Sequence, residues 1–336
     1  MPNSSDHSAA ATPLHLLTGF LGSGKTTLLQ RVLTNTTERI AVLVNEVADM
    51  PIDERLLADY DEDVLALPGG CICCSLRDDV HAAVARLRSF APDRIVLETS
   101  GLTDPAPLLG AFTDDARFAA TVRLSGVIAV VDGERFEALL DDEPEVRRQL
   151  DRCDRVVVSK ADVAPHRVAA VRERLADAAP GRAVHVPGAA GPDLDWLFAA
   201  PTFDGAFDAW LRAPADVGDG EPAHGAVTTH SLRSETPVDV DALQLWLRLA
   251  AQLDGPRLLR FKAILRCART GNAFVLQSAG RSVSPPLRLA APPADLAGAE
   301  VVLLERGLPP RAREQTLAAL HQAMAAPLRA DESSPT

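Results

Sequence analysis

Three thiols stand within four positions of one another: Cys71, Cys73 and Cys74 in LPGGCICCSLRDD (67–79). Thiolates are soft ligands suited to Zn²⁺, Cu(I) and related ions, and C-x-C-C spacing lets one ion meet two or three sulfurs on a tight loop. A closed structural zinc site has four ligands, often as two separated pairs, and no second C-x-x-C occurs in the chain. The cluster is one ligand short, which suits a site that releases its metal better than a permanent staple. Carboxylates to complete it stand in VNEVADMPIDERLL (44–57), as Glu46, Asp49 and Asp53. Zn²⁺ is the expected ion, with Co²⁺ or Fe²⁺ as alternatives, because cellular availability decides as much as affinity. Cys153 and Cys267 stand alone and read as small buried hydrophobes.

A second chemistry precedes the first. GFLGSGKTT (19–27) satisfies G-x-x-x-x-G-K-[ST] between a strand pattern and a helix pattern, the context in which that motif holds phosphate. Gly19, Gly22 and Gly24 let backbone N–H groups approach a triphosphate, with Ser23 and Thr27 completing the loop. The helix start adds a favourable dipole. Lys25 is placed to neutralise the β and γ phosphates, and Thr26 to offer its hydroxyl to Mg²⁺. VLETSGLTDP (96–105) ends a strand with Glu98, expected near the Mg²⁺ shell, and with Gly101, whose amide is expected near the γ-phosphate. VVVSKAD (156–162) closes another strand with Ser159, Lys160 and Asp162, a variant of the guanine-reading N-K-x-D. An aspartate there accepts hydrogen bonds from guanine N1 and N2, so GTP is favoured over ATP. Serine in place of asparagine shortens one polar arm and is expected to loosen the fit.

These residues need a scaffold, and the chain supplies one. PLHLLTGF, RIAVLVNE (39–46), RIVLETSG (94–101), SGVIAVVD (125–132) and RVVVSKAD (155–162) are short apolar runs. They alternate with helical patterns such as LRDDVHAAVARLRSF (76–90) and PHRVAAVRERLADAA (165–179). That alternation implies an α/β fold, a doubly wound and mostly parallel sheet covered on both faces. Beyond the Pro-, Gly- and Asp-rich 201–225 the pattern changes to strands, an amphipathic helix in DVDALQLWLRLAAQL and a closing helix. Leu243, Trp246, Leu247, Ala250 and Leu253 are expected to share the apolar face of the first of these helices. The expected organisation is a tail over 1–12, a P-loop GTPase domain over 13–200, a linker over 201–225, a smaller α+β C-terminal domain over 226–328 and a tail over 329–336.

The 336 residues are 47% hydrophobic, enough for sizeable cores, and carry a net charge of −12. That balance argues against nucleic acid or an anionic membrane surface as partners. MPNSSDHSAAATP lacks the basic and apolar regions of a signal peptide, and no apolar run approaches the roughly 18 residues of a membrane span. A cytoplasmic protein with reduced thiols is expected.

With GFLGSGKTT, GGCICC, ETSGLTDP and SKAD in this order, the sequence resembles the CobW family of P-loop GTPases, which are metallochaperones and metalloenzyme activators. The resemblance is strong over most of 13–200 and weaker from 226. It implies Mg²⁺-dependent GTP hydrolysis to GDP, Zn²⁺ held by Cys71, Cys73 and Cys74, and a client metalloprotein as partner. It also implies phosphate and Mg²⁺ on Lys25 and Thr26, catalysis supported by Glu98, and guanine on Asp162. The family's switch stretch reads close to N-E-F-G-E-V-G-I-D; here NEVADMPID keeps Glu46, puts Asp49 at the second acid and replaces the glycines by Ala48 and Pro51. A stiffer switch is the consequence. Three rival readings are an ATPase or kinase with structural cysteines, a metal sensor or store whose nucleotide binding is vestigial or only sets its metal affinity, and a vicinal-thiol redox protein. The first does not need SKAD, the intact Lys25-Thr26-Thr27 argues against an idle nucleotide site, and neither the C-x-C-C spacing nor the surrounding P-loop domain looks like a thioredoxin-like fold.

Overall fold

A computed structural model describes residues 11–45, 64–67, 77–189, 191–201, 227–289, 293 and 295–325. They fall into two compact units, one carried by the described residues up to 201 and one by those from 227.

The first unit opens with β1 (Thr12–Thr18), α1 (Lys25–Asn35), β2 (Ile40–Asn45), β3 (Val64–Leu67), α2 (Arg77–Arg88) and β4 (Arg94–Glu98). It continues with α3 (Ala106–Asp114), α4 (Ala116–Ala119), β5 (Val122–Asp132), α5 (Phe136–Asp142) and α6 (Pro144–Asp151). It closes with β6 (Arg155–Ser159), α7 (Val168–Ala178), β7 (Ala183–His185) and α8 (Leu194–Leu197). The strands form one parallel sheet in the order β3-β2-β4-β1-β5-β6-β7. The chain winds outward from β1 in one direction, returns through β4, and crosses to the other side at β5. Loops at the carboxyl ends of β1, β4, β5 and β6 thus converge where the winding reverses, the place where open α/β sheets bind ligands.

Sequence dictates this sheet through apolar runs too short for helices. Leu14, Leu16, Val42, Leu43, Ile95, Leu97, Val127, Val156 and Val157 have no more than 0% exposure, each worth about 1.5–3 kcal/mol of burial. On one face Leu28, Leu29 and Val32 of α1 pack with Leu17, Val42, Val44, Val96, Ile128 and Val130. The β1–β5 register shifts between Leu14 and His15, and Gly126 stands opposite His15, where a Cβ would come within 3.0 Å of the imidazole Cδ2.

The second unit comprises β8 (Val227–Ser234), α9 (Val240–Asp254), β9 (Leu258–Arg266), β10 (Ala273–Ala279), β11 (Ser282–Val283), β12 (Leu287–Arg288), β13 (Ala299–Arg306) and α10 (Pro310–Met324). Its sheet runs β11-β10-β9-β13-β8 with β12 paired to β10, all antiparallel. Asp239 caps α9 by accepting from the amides of Asp241 and Ala242, a device worth about 1 kcal/mol. Leu243, Trp246, Leu247 and Ala250 of α9 join Leu320 and Met324 of α10 over Phe261, Ala263, Leu265, Val301 and Leu303.

Several expectations change in detail. The strand read over 125–132 begins at Val122, because Val122 already pairs with Thr12. The strand Val64–Leu67 was not foreseen: four residues carry no usable period, and pairing along β2 is what makes them a strand. Leu253 has the right spacing for the buried face of α9 yet is 79% exposed, so burial ends one turn before the helix does. Residues 1–10, the expected linker but for Pro201, and 326–336 lie outside the described residues.

Candidate nucleotide site

β1 delivers the chain at Thr18 into a loop that only glycine-rich sequence can follow. Gly19, Gly22 and Gly24 have φ of 142°, 71° and 93°, the left-handed region that other residues avoid. At Gly19 sterics forbid a side chain as well, since a Cβ would stand 2.3 Å from the Val130 carbonyl oxygen. Gly24 is the N-cap of α1 and has no side-chain cap. Glycine brings no side chain to cap that turn, and the start of a helix favours an anion.

The Lys25 side chain is buried, and its ammonium donates to the carbonyls of Gly19 at 2.6 Å and Phe20 at 3.2 Å. Lysine thus closes its own loop and fixes a positive charge among the backbone amides. Thr26 Oγ1 donates to Glu98 Oε1 at 3.0 Å. This brings together two oxygen ligands from residues 72 positions apart, one on the first turn of α1 and one at the end of β4. Such a pair fits Mg²⁺, a hard cation that takes hydroxyl and carboxylate oxygens alongside substrate phosphates. Ser23 is buried and Thr27 is exposed on the first turn. Below Glu98, Thr99 Oγ1 bonds to Thr18 Oγ1 at 3.2 Å and fastens the ends of β4 and β1 side by side.

The end of β6 meets the same loop. Ser159 Oγ donates to the carbonyls of Ser23 and, at 3.0 Å, Val131. The arm shortened from asparagine therefore still reaches the phosphate loop. Lys160 has a left-handed φ of 53°, an uncommon and costly conformation for lysine. Its ammonium reaches Asp132 Oδ2 at 2.7 Å, and Asp162 lies exposed two residues on.

Asp132 is the member of this candidate site that sequence reasoning passed over. It is 1% exposed at the end of β5 and also takes Arg135 Nε at 2.9 Å and the Glu134 amide at 3.0 Å. Burial works to raise its carboxyl, but the charges of Lys160 and Arg135 outweigh it and hold it below the usual range. Arg135 also approaches the Leu21 carbonyl of the phosphate loop at 3.4 Å. The signal was present: VVDGE repeats the strand-end acid and nearby glycine of VLETSG.

Cys71, Cys73, Cys74, Glu46, Asp49 and Asp53 lie outside the described residues. Among the described residues no group of three or more His, Cys, Asp or Glu side chains is placed to hold a metal. Cys153 is fully buried, with its thiol pushed up to about 12 by burial, and Cys267 is buried as well. Cys153 has the inert setting expected of it; at Cys267 burial works to raise the thiol, but hydrogen bonds from Thr270 and the Arg269 backbone outweigh it and hold it below its ordinary value. No helix among the described residues is long and apolar enough to cross a membrane.

The profile described as CobW/HypB/UreG, nucleotide-binding domain, matches residues 13–186. The chain belongs to the CobW/HypB/UreG family. The Cobalamin synthesis protein cobW C-terminal domain matches residues 227–321, so both units find counterparts in CobW proteins. Zinc chaperone YjiA of Escherichia coli is 28% identical over 80% of this chain and 86% of its own length. Zinc-regulated GTPase metalloprotein activator 1 of Schizosaccharomyces pombe is 36% identical over 47% of this chain, which spans only 41% of that longer protein. The crystal structure of the Zn(II)-bound YjiA GTPase from Escherichia coli covers 93% of this chain and 99% of its own at 24% identity, with a TM-score of 0.45.

Proposed function

We propose that this CobW-family protein is a GTP-hydrolysing metallochaperone that carries Zn²⁺ on Cys71, Cys73 and Cys74 and passes it to a client metalloprotein. The observation that supports the nucleotide half most directly is the Thr26–Glu98 hydrogen bond, because it joins the phosphate loop to the acid of the next strand end. The C-x-C-C cluster on the same nucleotide domain, and relatives named zinc chaperone and zinc-regulated GTPase metalloprotein activator, support the metal half.

In this reading the backbone amides of 19–26 and the Lys25 ammonium receive the β and γ phosphates, and Lys25 exchanges its loop carbonyls for phosphate oxygens. Thr26 and Glu98 would hold Mg²⁺, which supplies charge neutralisation at the phosphates. Lys160, set by Asp132, packs its stem along the base while Asp162 accepts from guanine N1 and N2. Catalysis then consists of positioning and electrostatics on the terminal phosphoryl group. Zn²⁺ is cargo: thiolates bind it as their protons leave, and a carboxylate from Glu46 or Asp49 completes the shell in one nucleotide state. Loss of the γ-phosphate alters that segment and loosens the metal.

The test is nucleotide competition with phosphate release. GTP and GDP should displace a labelled guanine nucleotide while ATP in large excess does not, and wild type should release phosphate from GTP where Thr26→Ala does not. Equal displacement by ATP, or equal phosphate release by the variant, would sink the reading.

A further inference from the structure

Helix α6 reaches the nucleotide site through one polar side chain. Gln149 is 2% exposed, and its amide nitrogen donates to the carbonyls of Gly101 at 3.0 Å and Thr103 at 3.3 Å. Both carbonyls belong to the loop that leaves β4 after Glu98. That loop also abuts the phosphate loop: a Cβ on Gly101 would stand 2.5 Å from the Leu21 nitrogen and 2.7 Å from its Cα. Gln149 further lines the small, mainly apolar cavity beneath Gly19, Phe20 and Ser23. The 99–103 backbone is therefore gripped from two sides, by Leu21 against Gly101 and by a carboxamide that holds two carbonyls at once.

We infer that Gln149 is a positioning residue for the γ-phosphate, and that it sets how strongly the protein distinguishes GTP from GDP. The inference rests on the GTP reading above. A carboxamide suits this task because its two N–H groups serve two acceptors, whereas an ionised carboxylate donates none. Removing the donors leaves two buried carbonyls short of a partner, and the loop regains freedom to turn away from Leu21. That freedom must be lost again only when a terminal phosphate requires the Gly101 amide. GDP does not reach that far, so its affinity is untouched.

The experiment compares wild type, Gln149→Met and Gln149→Glu by titration with fluorescent GDP and a non-hydrolysable GTP analogue, alongside GTP turnover. Expected are GDP affinities within about twofold of wild type and an analogue affinity about tenfold weaker in Gln149→Met, or about 1.4 kcal/mol. Gln149→Glu should lose more, and kcat should fall in both. Parallel losses for both nucleotides would reveal a packing role only and overturn the inference, as would unchanged discrimination. Hydrogen exchange on wild type keeps it testable should both variants misfold: amides 99–103 must be better protected by the analogue than by GDP, and equal protection refutes it. Wild type that binds neither nucleotide overturns the GTP reading and this inference together, whereas wild type that binds both beside unaltered variants overturns the inference alone.

Discussion

His15 gives this protein a pH dependence whose sign and size follow from its surroundings. It sits on β1 with 1% exposure, its ring 4.9 Å from that of Phe198, and among the described residues neither ring nitrogen has a hydrogen-bond partner. Burial, then the charges of Arg94, Arg155 and Arg123, lower its pKa from 6.5 to about 3. Between those values the unfolded chain holds a proton that the folded chain does not, so stability falls as pH falls below 6.5. Above 6.5 the imidazole is neutral in both states and contributes no slope. A group so shifted costs about 1.4 kcal/mol per pH unit through the window, or about 2 kcal/mol at pH 5. For a unit of this size that is about 4–8 °C in midpoint. Replacing the imidazole by an apolar side chain, His15→Leu, removes the titration while keeping the site filled. Calorimetry of both proteins from pH 7 to 5 should therefore show wild type losing about 2 kcal/mol more than the variant. Parallel curves would refute the burial of a neutral imidazole and with it the packing of β1 against 194–198.

Two further substitutions probe the nucleotide site. Gly101→Ala drives a methyl into the Leu21 backbone at 2.5 Å, where nothing flexible can yield. Nucleotide affinity should drop more than tenfold in a fluorescence titration, and wild-type affinity would show that the two loops are not in contact. Asp132→Asn removes the charge that orders Lys160 and Arg135, an interaction class worth about 1.5–3 kcal/mol. GDP binding measured by calorimetry should weaken by about 10- to 100-fold, and an unchanged constant would show that Lys160 is not ordered by this pair.

Motif and period made part of this molecule legible. The phosphate loop, its strand and its helix could be read because glycine spacing, Lys25 and the following apolar period all describe one local structure. Strand-end acids such as Glu98 could be read for the same reason, as each closes an apolar run. What escaped was set by partners distant in sequence. Nothing around Gln149 announces that its amide will meet carbonyls nearly fifty residues earlier, and nothing in VLAL shows that β2 will adopt it as a strand. The partner of Lys160 was missed although Asp132 ended a run already recognised, because pairing between strand ends requires the order of the sheet. Leu253 failed in the opposite way: its period is right, but the packed surface stops before it. The short Ser159 arm was expected to weaken the base loop, and its position beside Ser23 gives it a carbonyl within reach.

The most direct test of the chaperone account is Zn²⁺ affinity, measured by chelator competition on reduced metal-free protein with GDP and with a non-hydrolysable GTP analogue, beside Cys73→Ser. In a nucleotide-driven chaperone the analogue tightens Zn²⁺ binding over GDP by at least about fivefold, the lower end of ordinary coupling between sites, and Cys73→Ser loses that binding. Equal affinity in both nucleotide states, or full affinity without Cys73, would contradict the chaperone account: no free energy would then pass between the GTP site and the thiolate loop.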